Sequence, residues 1–135
     1  MTIVYTDMVG DLFHFGHMEF LEQAHKLGTR LLVGVVSDKQ AEEHKRRPIL
    51  TMEERIRSIR NCPYVDEVIP DPPWVLTDEF LREHDIDIVC HGDDYSSDYV
   101  KEVYSVALAK GIFYSIPYTA GISTTEIISR IRSRL

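Results

Sequence analysis

Short apolar runs and helix-patterned runs alternate along the whole of this chain, and no other feature limits its fold as strongly. Thr2–Thr6 (TIVYT) has strand character, and MEFLEQAHKLG carries apolar residues at helical spacing as far as Gly28, a C-cap signal. Leu31–Asp38 (LLVGVVSD) is a nearly continuous apolar run, the pattern of a strand buried on both faces. Thr51 and Glu54 have capping-box spacing at the head of TMEERIRSIRNC. VDEVIP, IDIVCHGD and IFYSIPY read as three more strands, with DEFLREHD and YVKEVYSVALAKG as helices between them and STTEIISRIRSRL as a closing helix. Parallel strands need crossover helices, so the alternation predicts an α/β chain: a doubly wound parallel sheet of about five strands with helices on both faces.

In such sheets ligands bind beyond the carboxyl ends of the strands, where strand order reverses. The loops after the first, fourth and fifth strands are therefore the place to seek function. They read DMVGDLFHFGH, HGDDYSSD and TAGISTT, each with glycine and polar residues.

The 135 residues suit one domain, residues 1–135, which could also be one part of a longer protein. A net charge of −7 argues against nucleic acid or an anionic membrane as a partner of the whole surface. No apolar run approaches the ~20 residues of a membrane span, and the N-terminus lacks a signal-peptide layout, so a cytoplasmic location is expected. Cys62 and Cys90 match no metal or redox spacing and read as reduced, partly buried thiols. The basic clusters are HKRRP (His44–Pro48) and SRIRSR; each is either a solvated charged surface or, at the proline, the edge of a small anion site.

His14 and His17 flank Gly16 in DLFHFGH. A zinc site would need a third protein ligand, and none stands at a recognisable spacing. Gly16 suggests close backbone approach to something, which fits an anion held by free amides at the head of the next helix. Two imidazoles there would add donors able to carry positive charge near neutral pH. Ser123, Thr124 and Thr125 open the closing helix; plain N-capping explains one hydroxyl, and a phosphate chain would use all three. In Cys90–Tyr95 (CHGDDY) the acids suit a base, a ribose or an ammonium group, or simply a tight turn.

DLFHFGH resembles the HxGH signature of the cytidylyltransferases, and GISTTEIISRI resembles their ISTT signature. EERIRSI, YVDEVIP and PPWVLTDEFLREHDIDIVCHGDD are similar to the choline-phosphate, ethanolamine-phosphate and glycerol-3-phosphate members, in the same order, from about Val4 to Arg132. The resemblance implies a Rossmann-like fold and attack of a small phosphate acceptor on the α-phosphorus of CTP, with loss of pyrophosphate. It implies that His14, His17 and Lys45 are catalytic, donating to the triphosphate and the transition state. It assigns nucleotide binding to Met8, Val9, Gly10, Asp11, Phe15, Gly16, Arg55, His91, Gly92, Asp94 and the run Gly121, Ile122, Ser123, Thr124, Thr125. Trp74 and Tyr118 would face the acceptor. A magnesium ion would accompany CTP with no metal ligand supplied by the protein, and a homodimer through the YVDEV region is implied.

Three positions depart from the family pattern. The glycine of GxFD is shifted to Gly10 in Met8-Val9-Gly10-Asp11, Tyr118 stands where RTEGIST has its arginine, and Pro63 replaces a basic residue before YVDEV. An arginine-to-tyrosine change trades a bidentate charged fork for one neutral hydroxyl. These losses lie near the acceptor phosphate and favour an unusual acceptor: a two-carbon phosphonate such as 2-hydroxyethylphosphonate or 2-aminoethylphosphonate, as in the phosphonate-acting cytidylyltransferases of the fosfomycin pathway in antibiotic biosynthesis. The alternatives are ethanolamine phosphate or choline phosphate as acceptor and, in other classes, a non-catalytic nucleotide-binding module or a metal hydrolase.

Overall fold

The computed structural model describes residues 1–93, 95–117 and 119–135. Five strands, β1 (Ile3–Met8), β2 (Arg30–Val35), β3 (Glu67–Pro70), β4 (Ile88–Gly92) and β5 (Phe113–Ile116), form one sheet in the order β3-β2-β1-β4-β5. Every pairing is parallel. Among the described residues six helices connect them, α1 (Phe15–His25), α2 (Asp38–His44), α3 (Met52–Arg60), α4 (Asp78–Glu83), α5 (Ser97–Val103) and α6 (Ser105–Ala109), and α7 (Thr124–Arg134) follows β5. The expected doubly wound, Rossmann-like sheet is the observed one, and the strand order reverses between β1 and β4.

Successive strand residues point to opposite faces, and each face has its own core. Val4, Leu31 and Val33 pack with Leu21 and Ala24 of α1 and Ile59 of α3. Tyr5 and Leu32 pack with Phe80 and Leu81 of α4, Val103, and Ala107 of α6. Cys62 and Cys90 are free and buried, and burial pushes the Cys90 thiol up to about 12, so it is unreactive near neutral pH. Among the described residues no helix is long and apolar enough to cross a membrane.

Three local differences from the sequence reading matter. Helix α1 begins at Phe15, so the two histidines belong to the helix terminus itself and do not precede it. Helix α2 is an addition: it is seven residues long and buries only Ala41, too little for an apolar stripe to show, and Ser37 caps it through Gln40 N. The run after β4 is broken at Tyr104 into α5 and α6, and the fully buried Tyr104 sends its hydroxyl to Asp7 at the end of β1.

Candidate active site

A cavity of about 510 Å³ opens over the carboxyl ends of β1 and β4, at the reversal of strand order. Its wall is built from the β1–α1 loop, the head of α1, the segment after α2, the β4–α5 loop and the head of α7. The loops after the first, fourth and fifth strands thus converge as expected, and the segment carrying Lys45, Arg46 and Pro48 joins them.

Helix α1 starts with a capping box made of imidazoles. His14, the N-cap, accepts the Gly16 amide on Nδ1 at 3.1 Å, and His17, three residues on, accepts the His14 amide on Nδ1 at 3.1 Å. With both Nδ1 lone pairs occupied by backbone donors, each neutral ring carries its proton on Nε2. Thr124 gives the same answer from the other side. Its hydroxyl donates to the Asp11 carbonyl at 2.9 Å, so at 3.5 Å from His14 Nε2 it is left to accept. The rings lie 3.9 Å apart, centroid to centroid, and Phe13 stacks on His17 at 5.4 Å and 3°.

Two sequence expectations change here. Gly16 N–H is not free for an anion, because His14 holds it. The imidazoles are not cationic near neutral pH: burial lowers the His14 value, while burial and then the His14 charge take His17 down to about 3, against an opposing pull from Asp11. The pair offers two neutral Nε2–H donors. A Cβ on Gly16 would stand 2.9 Å from His14 Cε1, 3.0 Å from its Nδ1 and 3.0 Å from Ile122 Cγ2. The glycine therefore makes room for the imidazole and for the loop before α7.

The preceding loop is held from below. Gly10 takes φ +68° and a Cβ there would meet Ile59 Cδ1 at 2.6 Å, so the shifted glycine sits where only glycine fits. Asp11 is buried and accepts the amides of Ile49 (2.8 Å) and Leu50 (2.9 Å), tying the segment after α2 to the histidine loop. Arg55 is also fully buried. Its guanidinium donates to the carbonyls of Val9 (2.7 Å), Val36 (2.8 Å) and Leu50 (3.3 Å) and pairs with Asp38. Arg55 is not on the cavity wall, and its donors are committed to these carbonyls and to Asp38 beneath it.

At the head of α7 the three hydroxyls have different partners. Ser123 caps the helix through Glu126 N, Thr124 bonds Asp11 and faces His14, and Thr125 accepts from Arg46 Nη1 at 3.0 Å. All three line the cavity with Ile122, whereas Gly121, at φ +92°, and the half-exposed Phe15 lie off its wall. Met8, Val9, Gly10, Asp11, His91 and Gly92 are on it. Asp94 and Tyr118 lie outside the described residues.

The far end of the cavity is aromatic and acidic. Trp74 stacks on His44 at 4.0 Å and meets Tyr99 edge-on at 6.1 Å; Tyr99 stacks on Tyr95 at 4.6 Å, which meets His91 at 4.6 Å. Behind them Asp7 accepts Tyr104 Oη at 2.6 Å and Tyr5 Oη at 3.4 Å, with His91 Nε2 at 3.9 Å. Burial raises the Asp7 value, and His91, Tyr104 and Lys45 pull it back. Lys45 donates to the Tyr95 hydroxyl, its Nζ 4.6 Å from the ring centroid. Asp7, Tyr95 and Tyr99 were not among the site residues expected from the sequence, and Arg46 entered only as one member of the basic HKRRP cluster. An acid at the carboxyl end of the first strand and a tyrosine directly after the HGDD turn were the available signals.

Among the described residues no group of three or more His, Cys, Asp or Glu is placed to hold a metal ion.

Residues 10–130 match the model of the family described as Cytidylyltransferase-like. Choline-phosphate cytidylyltransferase 2 of Arabidopsis thaliana is 46% identical over 95% of this chain and 44% of its own length. Human choline-phosphate cytidylyltransferase A is 45% identical over 95% of this chain and 36% of its own. The probable ethanolamine-phosphate cytidylyltransferase of Schizosaccharomyces pombe is 39% identical over 91% and 34%. The chain thus spans less than half the length of these curated relatives. Among solved structures, a lipopolysaccharide core biosynthesis protein of Thermoplasma volcanium superposes with a TM-score of 0.72 at 27% identity, covering 90% of this chain and 99% of its own. Pantothenate synthetase of Thermus thermophilus, at 11% identity and a TM-score of 0.63 over 94% of this chain and 61% of its own, shares the fold. A parallel sheet reversing between β1 and β4, a cavity at that reversal and a match over most of the chain agree: the chain belongs to the cytidylyltransferase-like family.

Proposed function

We propose that this chain transfers CMP from CTP to a phosphate monoester with a cationic head, choline phosphate first, releasing pyrophosphate. The observation that carries this reading is the division of one cavity into two chemically different ends. At one end the histidine Nε2–H donors, the Thr125 hydroxyl and Arg46 offer hydrogen bonds and positive charge to a phosphate chain. At the other, Trp74, Tyr95 and Tyr99 stand with the Asp7 carboxylate behind them. Ring faces attract cations, and a quaternary ammonium needs no hydrogen bond from a carboxylate whose oxygens already accept from tyrosines. 2-Hydroxyethylphosphonate has no positive charge to answer this end, so the reading prefers an acceptor with a cationic head over it. The named activities of the relatives support the same choice.

In this mechanism the acceptor phosphate is already an oxyanion near neutral pH, its second pKa being about 6, and needs no general base. An acceptor oxygen bonds to the α-phosphorus, the bond from that phosphorus to the bridging oxygen breaks, and the electron pair leaves with pyrophosphate. His14 and His17 hold in-line geometry and stabilise charge on the transferring group. Because the rings are neutral beforehand, they donate hydrogen bonds without an initial repulsive charge between them. Lys45 lines the cavity next to Tyr95, at the head-group end. Magnesium would enter with CTP, on its phosphate oxygens.

The test measures kcat/KM for pyrophosphate release from CTP and magnesium with choline phosphate, ethanolamine phosphate, 2-aminoethylphosphonate and 2-hydroxyethylphosphonate. Choline phosphate is expected to lead and 2-hydroxyethylphosphonate to trail. Turnover of 2-hydroxyethylphosphonate equal to or above that of choline phosphate would overturn the acceptor assignment. Absence of pyrophosphate release with all four would reject the activity in favour of simple nucleotide binding.

A further inference from the structure

A nucleoside triphosphate is a polyanion, and the wall that would receive it has few positive charges. Among the described residues only Lys45 and Arg46 bring a lysine or arginine to it. The two are neighbours in sequence but point to opposite ends. Lys45 reaches the aromatic end, on Tyr95, while Arg46 Nη1 donates to Thr125 in the first turn of α7. Between them the two imidazoles are neutral, and Arg55 is committed to three carbonyls and Asp38.

Resting on the reading above, we propose that Arg46 is the residue that neutralises the leaving pyrophosphate. The segment bearing it is well placed for this. Asp11 holds the amides of Ile49 and Leu50, so Arg46 is delivered from a strand of chain fastened to the same loop that leads into His14. Thr125 takes one guanidinium N–H, and a guanidinium has five donors in a planar fork suited to phosphate oxygens. As the acceptor oxygen bonds to the α-phosphorus and the bridging oxygen departs with the bonding pair, the charge that builds on pyrophosphate meets Arg46. No proton has to move. Lys45 serves the acceptor end of the same reaction, so adjacent cations divide the entering and leaving groups between them.

A competing role for Arg46 is a latch joining the segment after α2 to α7. The two roles differ in how an Arg46→Ala variant responds to the number of phosphates on the nucleotide. Titration calorimetry of CTP, CDP and CMP, with magnesium, would be run on the wild type, Arg46→Ala and Arg46→Lys, beside kcat with choline phosphate. Losing charge-assisted hydrogen bonds should weaken CTP by about 10- to 100-fold, CDP by less, and CMP by no more than about two-fold. kcat should fall as well, and lysine should restore part of both. Equal weakening of CTP and CMP would assign the residue to the latch, and unchanged CTP binding with unchanged kcat would remove it from the site; either overturns the proposal. A wild type that binds no CTP overturns this proposal and the function together. A wild type that binds CTP but does not turn over choline phosphate rejects the acceptor alone, and the phosphate series still decides Arg46.

Discussion

Replacing Gly16 with alanine should separate the positioning of His14 from the stability of the fold. The new Cβ would lie 2.9 Å from His14 Cε1, 3.0 Å from His14 Nδ1 and 3.0 Å from Ile122 Cγ2. Ordinary carbon contacts begin near 3.5 Å, so the imidazole and the loop before α7 must both move by about half an ångström. Overpacking of this kind costs about 1–3 kcal/mol, and alanine returns up to about 1 kcal/mol through its helix preference. The net loss is therefore about 0–3 kcal/mol, a fall in Tm of at most about 10 °C for a domain of this size. Catalysis should suffer more. The displaced ring breaks the bond from Gly16 N–H to Nδ1, which orients the ring and keeps its proton on Nε2. Misplacing one such donor is worth about 2.7–4 kcal/mol of barrier, or 10²–10³ in kcat. Thermal unfolding and pyrophosphate release, measured on the same preparation, give both numbers. A variant that keeps kcat within about three-fold of wild type would show that the contact does not position the catalytic ring, and the reasoning about Gly16 would fail.

Three further outcomes follow from the same geometry. His17 takes up a proton less readily folded than unfolded, so the unfolded chain gains protons first as pH falls below about 6.5; His17 should therefore cost stability progressively toward pH 3, about 2 kcal/mol by pH 5. Urea midpoints from pH 7 to 5 should show this slope flattened in His17→Gln, and identical slopes would refute it. Arg55→Met leaves the carbonyls of Val9, Val36 and Leu50 without their donor, and the loss of about 3 kcal/mol or more should appear as a lower urea midpoint; an unchanged midpoint would deny that the guanidinium holds this loop. Asp7→Asn should raise KM for choline phosphate by about 10- to 100-fold while KM for CTP stays close to wild type, and the reverse pattern would move the head group away from the aromatic end.

What the sequence made legible, and what it did not, divides by the range of the interactions involved. The central strands were readable because they are buried on both faces: β2 leaves a nearly continuous apolar run, and β1 starts with one before Thr6 and Asp7. The position of the site followed from topology, since a doubly wound sheet has one place where strand order reverses. Helix α2 was not readable: one buried alanine in seven residues makes no period. Arg55 could be recognised as a matching arginine, but its partners lie 5, 17, 19 and 46 residues away, and no local spacing foretells them. Arg46 is the same case, its Thr125 contact spanning 79 positions, and Asp7 reaches Tyr104 across 97.

The histidines are different, because their signal was local and was still misread. His14 and His17 have the same three-residue spacing as Thr51 and Glu54, where it identified a capping box, and both pairs close one. At the histidines an imidazole nitrogen stands in for both the hydroxyl and the carboxylate, so the usual residue types gave no cue. Recognising the cap changes the chemistry as well as the helix boundary. A threonine–glutamate box leaves nothing over for a ligand that the helix start itself does not provide. An imidazole box spends Nδ1 on the backbone and turns Nε2–H outward, with its tautomer set by the main chain. The fold therefore selects neutral donors, and the price of that choice is the lowered proton affinity of His17. In this sequence the HxGH spacing is first a way to start a helix, and the two donors it leaves over the cavity follow from that start.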